Sequence, residues 1–182
     1  MHPLRQVGLL VRSRYAVLYL LPHEEARVER ELAAVAAEEG LTVWRWRSTS
    51  GLVRPGGEPA EGTTDPAAAL RLVLGVPEPA LFVFEDMHDA LDDPSVRRLV
   101  RDLEPVLAAR RQALVLVAPR LVLPVELEKD VAVLDVPLPD GTEMGALLDE
   151  IAVREGLAPD PEVRDLLVRS ALGLTTQEAR RA

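Results

Sequence analysis

The sequence predicts an α/β fold in which a five-stranded parallel sheet is sandwiched by helices and followed by a helical appendage. Three observations carry this expectation. Continuous apolar runs rich in β-favouring residues recur five times, each long enough for one strand. Amphipathic helical segments alternate with them, the pattern of a parallel sheet covered on both faces. Beyond Pro137-Leu138-Pro139-Asp140 only helical patterns remain, so we expect a core over 1–139 and a helical unit over 140–182 that breaks off in its first turns.

Leu4 to Ser13 forms a short helix with Leu4, Val7, Leu10 and Val11 on one face. Tyr15 to Leu21 is uninterrupted and apolar, which predicts a central strand buried on both sides. Glu24 to Glu39 repeats Val28, Leu32, Val35 and Ala36 at helical spacing, and Gly40 supplies the stop. Leu41 to Trp46 is the second strand. It places the Trp44 and Trp46 indoles on one face and the Arg45 and Arg47 guanidiniums on the other. The indoles either pack under a helix or anchor a partner.

Arg47 to Thr64 is rich in Gly, Pro, Ser and Thr and reads as a long loop, either mobile or functional. Its Gly51, Gly56 and Gly57 are followed by Glu58 and no lysine, which favours a flexible surface loop over a phosphate cradle. Asp65-Pro66 starts a helix that runs to about Leu74, with Asp as N-cap and Pro in the first turn. Ala80 to Phe84 is the third strand, Pro94 to Arg111 a helix, and Ala113 to Ala118 the fourth strand. Pro124 to Lys129 reads as one helical turn and Val131 to Val136 as the fifth strand. Helices then cover Thr142 to Glu155 and Pro161 to Ala171, and Thr175 with Glu178 makes a capping box for a third.

Composition narrows the function. At 182 residues with 48% apolar content, the chain buries a real core. With aromatics at 3%, that core is built of Leu, Val and Ala. A formal charge of −9 argues against a nucleic-acid partner. The absence of cysteine excludes disulfides, thiolate catalysis and cysteine-ligated zinc. The N-terminal apolar run Val7 to Val11 is too short for a signal peptide or a membrane span, so a cytoplasmic protein without membrane attachment is expected.

The chemistry converges on Glu85-Asp86, which ends the apolar strand Phe82-Val83-Phe84. Nucleotide hydrolases place paired acids there, near a metal-bound water. The competing reading is a solvated acidic loop, continued by Asp89, Asp92 and Asp93, that suits the dipole of the helix from Pro94. The partner motif, a glycine-rich loop ending in Gly-Lys-Ser/Thr, is missing. Lys129 is the one lysine and has no glycine near it. After the first strand, where phosphates would dock, the chain reads Pro22-His23-Glu24-Glu25. Two carboxylates then lie at the positive end of a helix and repel a triphosphate. Of the histidines His2, His23 and His88, only His88 lies close enough in sequence to join Glu85 and Asp86 on a metal. Their spacing matches no closed metal site, so a surface histidine and no metal are expected.

Leu81 to Asp86, Leu114 to Pro124 and Val133 to Asp140 resemble the AAA+ ATPase core in order and spacing. The helices that follow, with Gly173-Leu174-Thr175 and Glu178-Ala179, resemble the start of its helical lid. Leu9 to Tyr15, Thr49-Ser50-Gly51-Leu52 and Glu61 to Pro66 further resemble the N-terminal half of a two-module AAA+ family of cyanobacteria, plastids and other bacteria. In that family the first module lacks a working phosphate loop and the second carries it. The resemblance implies the strand order 5-1-4-3-2.

Departures from an active AAA+ core are specific. The acid pair reads Glu-Asp where Asp-Glu is usual, Ala118-Pro119-Arg120 replaces a polar sensor, and Glu126 to Lys129 replaces an arginine finger. Arg120 and Lys129 are weak substitutes. Glu85 and Asp86 are therefore expected to be a degenerate, inactive pair, with no cofactor bound. The expected role is a non-catalytic AAA+-type module in the assembly or regulation of an AAA+ ATPase. Its partner is a catalytic AAA+ module in cis or trans, or a regulatory protein, with homo-oligomers possible. A first alternative is an ATPase that uses Mg-ATP together with a following catalytic module, Asp86 holding magnesium through water and Glu85 polarising the attacking water. A second is an adaptor for a small ligand at the strand ends.

Overall fold

Each of the five apolar runs expected to be strands becomes one, and the side chains alternate between two separately packed faces. A computed structural model describes residues 3–182; His2 lies outside the described residues. The strands are β1 (Val17–Pro22), β2 (Thr42–Arg47), β3 (Gly51–Val53), β4 (Ala80–Glu85), β5 (Ala113–Val117) and β6 (Ala132–Val136). The helices are α1 (Pro3–Arg12), α2 (Glu25–Glu39), α3 (Pro66–Leu74), α4 (Pro94–Arg110), α5 (Gly141–Glu155), α6 (Pro161–Ala171) and α7 (Thr176–Ala179). One compact unit ends at Val136, and a second spans Pro137–Ala182.

The sheet order is β3-β2-β4-β5-β1-β6. All pairings are parallel except β2 with β3. The five parallel strands keep the order that the resemblance implied, and β3 adds a sixth strand at one edge. On one face Tyr19, Trp46, Phe82, Phe84 and Leu116 pack with α3 and α4. On the other Leu20, Leu81, Val83 and Val115 pack with α1 and α2. Nearly all of these side chains are wholly removed from water, worth about 1.5–3 kcal/mol for each large aliphatic or aromatic group.

The 47–64 segment is held by packing and hydrogen bonds, contrary to a loop without structure. Gly51 opens β3 at φ 77°, and a Cβ there would meet Thr63 Oγ1 at 2.6 Å. Thr63 is buried and ties the segment together. Its hydroxyl donates to Ala60 O and accepts from Leu52 N at 2.8 Å, while its carbonyl accepts from Trp46 Nε1 at 2.6 Å. A bridge between Val53 and Pro59 covers the outer side of β3. This strand is hidden in the sequence because three residues in a Gly- and Pro-rich stretch carry no periodicity.

The caps follow the sequence closely. Gly40 closes α2 in the left-handed conformation, and Asp65 accepts from Ala68 N at 2.7 Å to start α3. In the second unit, Asp140 with Glu143 and Thr175 with Glu178 form capping boxes for α5 and α7. That unit centres on Met144, Leu147, Ala171 and Ala179. Arg164 crosses α5 at Gly145 and holds Asp149 with two bonds of 2.6 and 2.7 Å.

Candidate functional site

Strand alternation sends Glu85 and Asp86 in different directions. Glu85 is the last residue of β4 and, like Val83, faces α2; it is buried. The β2–β4 register sets Trp46 beside Phe84, so Arg47 comes beside Glu85 on the α2 face. Arg47 Nε donates to Glu85 Oε2. Its Nη2 reaches Glu29 Oε1 of α2 at 2.5 Å, and Arg45 Nη1 donates to the other Glu29 oxygen at 3.1 Å. Two arginines of β2 thus clamp one acid from α2 and one from β4.

The clamp is incomplete at its buried end. Glu85 Oε1 has no hydrogen-bond partner among the described residues. Burial is the main cause that raises the Glu85 carboxyl above its ordinary range. Arg47 opposes that rise and neighbouring Glu29 adds to it. Glu85 in turn holds the Arg47 guanidinium more firmly protonated.

Asp86 takes the opposite environment. It adopts a left-handed backbone at φ 54°, its N–H donates to Val117 O at 2.9 Å, and its carboxylate is exposed. The 3-10 helix Met87–Asp92 follows at once. His88 within it is buried, not a surface residue as expected. Its Nε2 lies 3.6 Å from Asp89 Oδ1 and its Nδ1 lies 3.9 Å from Asp86 Oδ1. These distances are longer than hydrogen bonds. Among the described residues, no group of three His, Asp or Glu side chains is arranged to hold a metal ion.

Arg120 is drawn into this corner. It pairs with Asp89 at 2.7 Å, and its carbonyl accepts from the Tyr19 hydroxyl at 2.7 Å. Tyr19 also accepts from Val122 N at 3.3 Å, and burial pushes its phenol up. Arg120 therefore fixes the turn after β5. Lys129 lies exposed, while neighbouring Glu126 and Asp130 face Arg97 and Arg101 of α4 at 3.6 and 3.5 Å.

The β1–α2 turn is short and acidic. β1 ends at Pro22, which has no N–H to offer a ligand. His23 is exposed, Glu24 is the N-cap without a side-chain capping bond, and Glu25 occupies the first turn of α2. No glycine lies in this turn. The first-turn amides of α2 form the positive end of a 15-residue helix, and carboxylates already occupy that end.

Trp44 and Trp46 are core residues. Trp46 stacks on Phe84 with ring centroids 5.1 Å apart, and Trp44 lies 6.2 Å from Phe82 at a tilt. Sequence reading placed Arg47 opposite the indoles but did not pair it with Glu85. The signal was present in the alternation of two adjacent parallel strands.

The family model for the SpoVK-like AAA ATPase, N-terminal domain, matches residues 4–136. The chain is 28% identical over 176 residues to the AAA domain-containing protein ycf46 of Guillardia theta, covering 95% of this chain and 35% of that protein. It is 26% identical over 176 residues to ycf46 of Trieres chinensis, with the same coverage. The chain spans about a third of the length of these curated relatives. Among solved structures, the FIGL-1 AAA domain in complex with ADP aligns with a TM-score of 0.67 at 14% identity, covering 98% of this chain and 63% of that one. A Thermotoga maritima RuvB aligns with a TM-score of 0.58 at 12% identity, covering 97% and 58%. At such identities these structures establish the AAA+ fold alone.

Proposed function

Since the chain belongs to the SpoVK-like AAA ATPase N-terminal domain family, we propose that it is a non-catalytic AAA+-type module that assists the assembly or regulation of an AAA+ ATPase. The observation that carries the reading is the β1–α2 turn, where Pro22 removes a donor and Glu24 and Glu25 put negative charge at the anion-binding end of α2. The residues present do not fit a magnesium-bound triphosphate. Glu85 supports the same reading: a carboxylate clamped by Arg47 and turned into the α2 face is not free to polarise a water. Asp86 faces solvent, and among the described residues it belongs to no group of three side chains arranged to hold a cation. The partner in this reading is a catalytic AAA+ module in cis or trans.

A second reading, an ATPase that works together with a following catalytic module, is favoured by one observation. The curated relatives are about three times as long as this chain. In that case the ATPase activity belongs to the longer protein, and this unit contributes contacts.

Calorimetric titration with Mg-ATP tests the leading reading. No saturable heat is expected. Micromolar binding that Glu85→Gln and Asp86→Asn abolish would overturn it.

A further inference from the structure

The second unit leaves several large apolar side chains in water. Over Pro137–Ala182 only Met144, Leu147, Ala171 and Ala179 form its buried centre. Val153 is 82% exposed, Leu157 63%, Leu166 58%, Val163 47% and Leu167 46%. A cavity of about 370 Å³ opens between α5, α6 and their connecting turn, lined by Leu148, Ile151, Leu157, Pro159, Val163 and Leu167 and by the mutually paired Asp149 and Arg164. Of the exposed side chains, Leu157, Val163 and Leu167 line this cavity together, and apolar surface gathered in this way marks a contact site. A groove between two helices suits the apolar face of a third.

Charge selects the occupant. Residues 137–182 hold nine acidic and five basic side chains, a net of −4. Three of the arginines are already engaged: Arg164 by Asp149, Arg154 by Glu155 and Arg180 by Glu150. Asp160 and Glu162, set between the lining residues Pro159 and Val163, have no cationic partner among the described residues. A second copy laid on this groove would bring acid against acid, in a chain that already carries −9. An anionic lipid surface meets the same repulsion.

We propose that the α5–α6 groove binds an amphipathic protein helix whose apolar anchors are flanked by Lys or Arg. The anchors enter between Leu157, Val163 and Leu167, and the cations face Asp160 and Glu162. This docking site uses residues of the second unit alone and stands whether or not the first unit binds nucleotide.

The test uses the whole 182-residue protein and two synthetic helical peptides with the same leucine spacing, one flanked by Lys and one by Glu. Binding is read by fluorescence anisotropy and by backbone amide shifts. The Lys peptide is expected to bind saturably, with shifts confined to residues 148–167, and the Glu peptide about tenfold more weakly or worse. Asp160→Asn combined with Glu162→Gln is expected to erase that preference. Val163→Asp is expected to abolish binding while the thermal midpoint stays in place. Leu157→Ser, in the turn after α5, repeats the test should Val163→Asp disturb α6. The proposal is overturned by equal binding of both peptides, by shifts centred outside the groove, by no saturable binding, or by self-association that Val163→Asp removes.

Discussion

Two corners at the carboxyl ends of the strands carry negative charge, and they do so by different physics. At the end of β4, Glu85 is buried and held by Arg47, which also grips Glu29. At the start of α2, Glu25 stands in solvent on the first turn of the helix. In the proposed reading the first corner removes a carboxylate from chemistry by enclosing and neutralising it, and the second repels an anionic ligand by presenting carboxylates. Under that reading both effects oppose nucleotide hydrolysis, yet they rest on separate residues and are separately testable.

The packed sheet beneath the first corner gives the largest expected effect. Phe84→Ala removes the ring that stacks on Trp46 and should cost about 3–5 kcal/mol, measured by denaturant unfolding. An equal loss from Glu25→Ala would break the comparison, since that residue is exposed and the sheet does not rest on it.

Arg47→Ala comes next. It leaves Glu85 buried without its cation and frees Glu29 from one of two arginines. A fully buried pair would lose about 3–5 kcal/mol, but half of the Arg47 side chain is exposed, so about 1–3 kcal/mol is expected. Glu85→Gln should cost less than about 1 kcal/mol, because burial already disfavours the charge it removes.

The pH dependence has a definite sign. The folded Glu85 carboxyl lies above its unfolded value, so its contribution to stability is complete below the ordinary value of 4.5 and lost as pH rises through the folded value. The stability of the natural protein relative to Glu85→Gln should therefore fall across the interval above pH 4.5 and then level off. Parallel curves over that interval would show that Glu85 is not shifted. The smallest effect belongs to the second corner: Glu25→Gln should change stability by less than about 0.5 kcal/mol.

Much of this architecture was legible because its signals are local. Tyr15 to Leu21 pointed to a central strand, which forms over Val17–Pro22 with Tyr15 left exposed before it, and Gly40, Asp65-Pro66, Asp140 and Thr175 announced the helix ends. The β3 hairpin was hidden because Thr63 holds it, accepting from Leu52 N eleven residues back and from Trp46 Nε1 seventeen residues back. The same limit applied to the site. Glu85-Asp86 reads as a pair in the sequence, but β4 ends between them: alternation buries Glu85, and a left-handed turn carries Asp86 into solvent. His88 was expected at the surface because histidine usually is; the 3-10 helix after Asp86 folds it inward. The Arg47–Glu85 contact depends on a parallel register between strands separated by a helix, which neither strand states alone.

The most direct measurement follows the backbone amides of residues 23–27 by heteronuclear NMR while a non-hydrolysable ATP analogue and magnesium are added. No saturable shift is expected there, because the carboxylates at the start of α2 repel a triphosphate from the amides. Saturable shifts at these amides would contradict the account, and more so if they persisted with Glu85 and Asp86 both replaced by their amides.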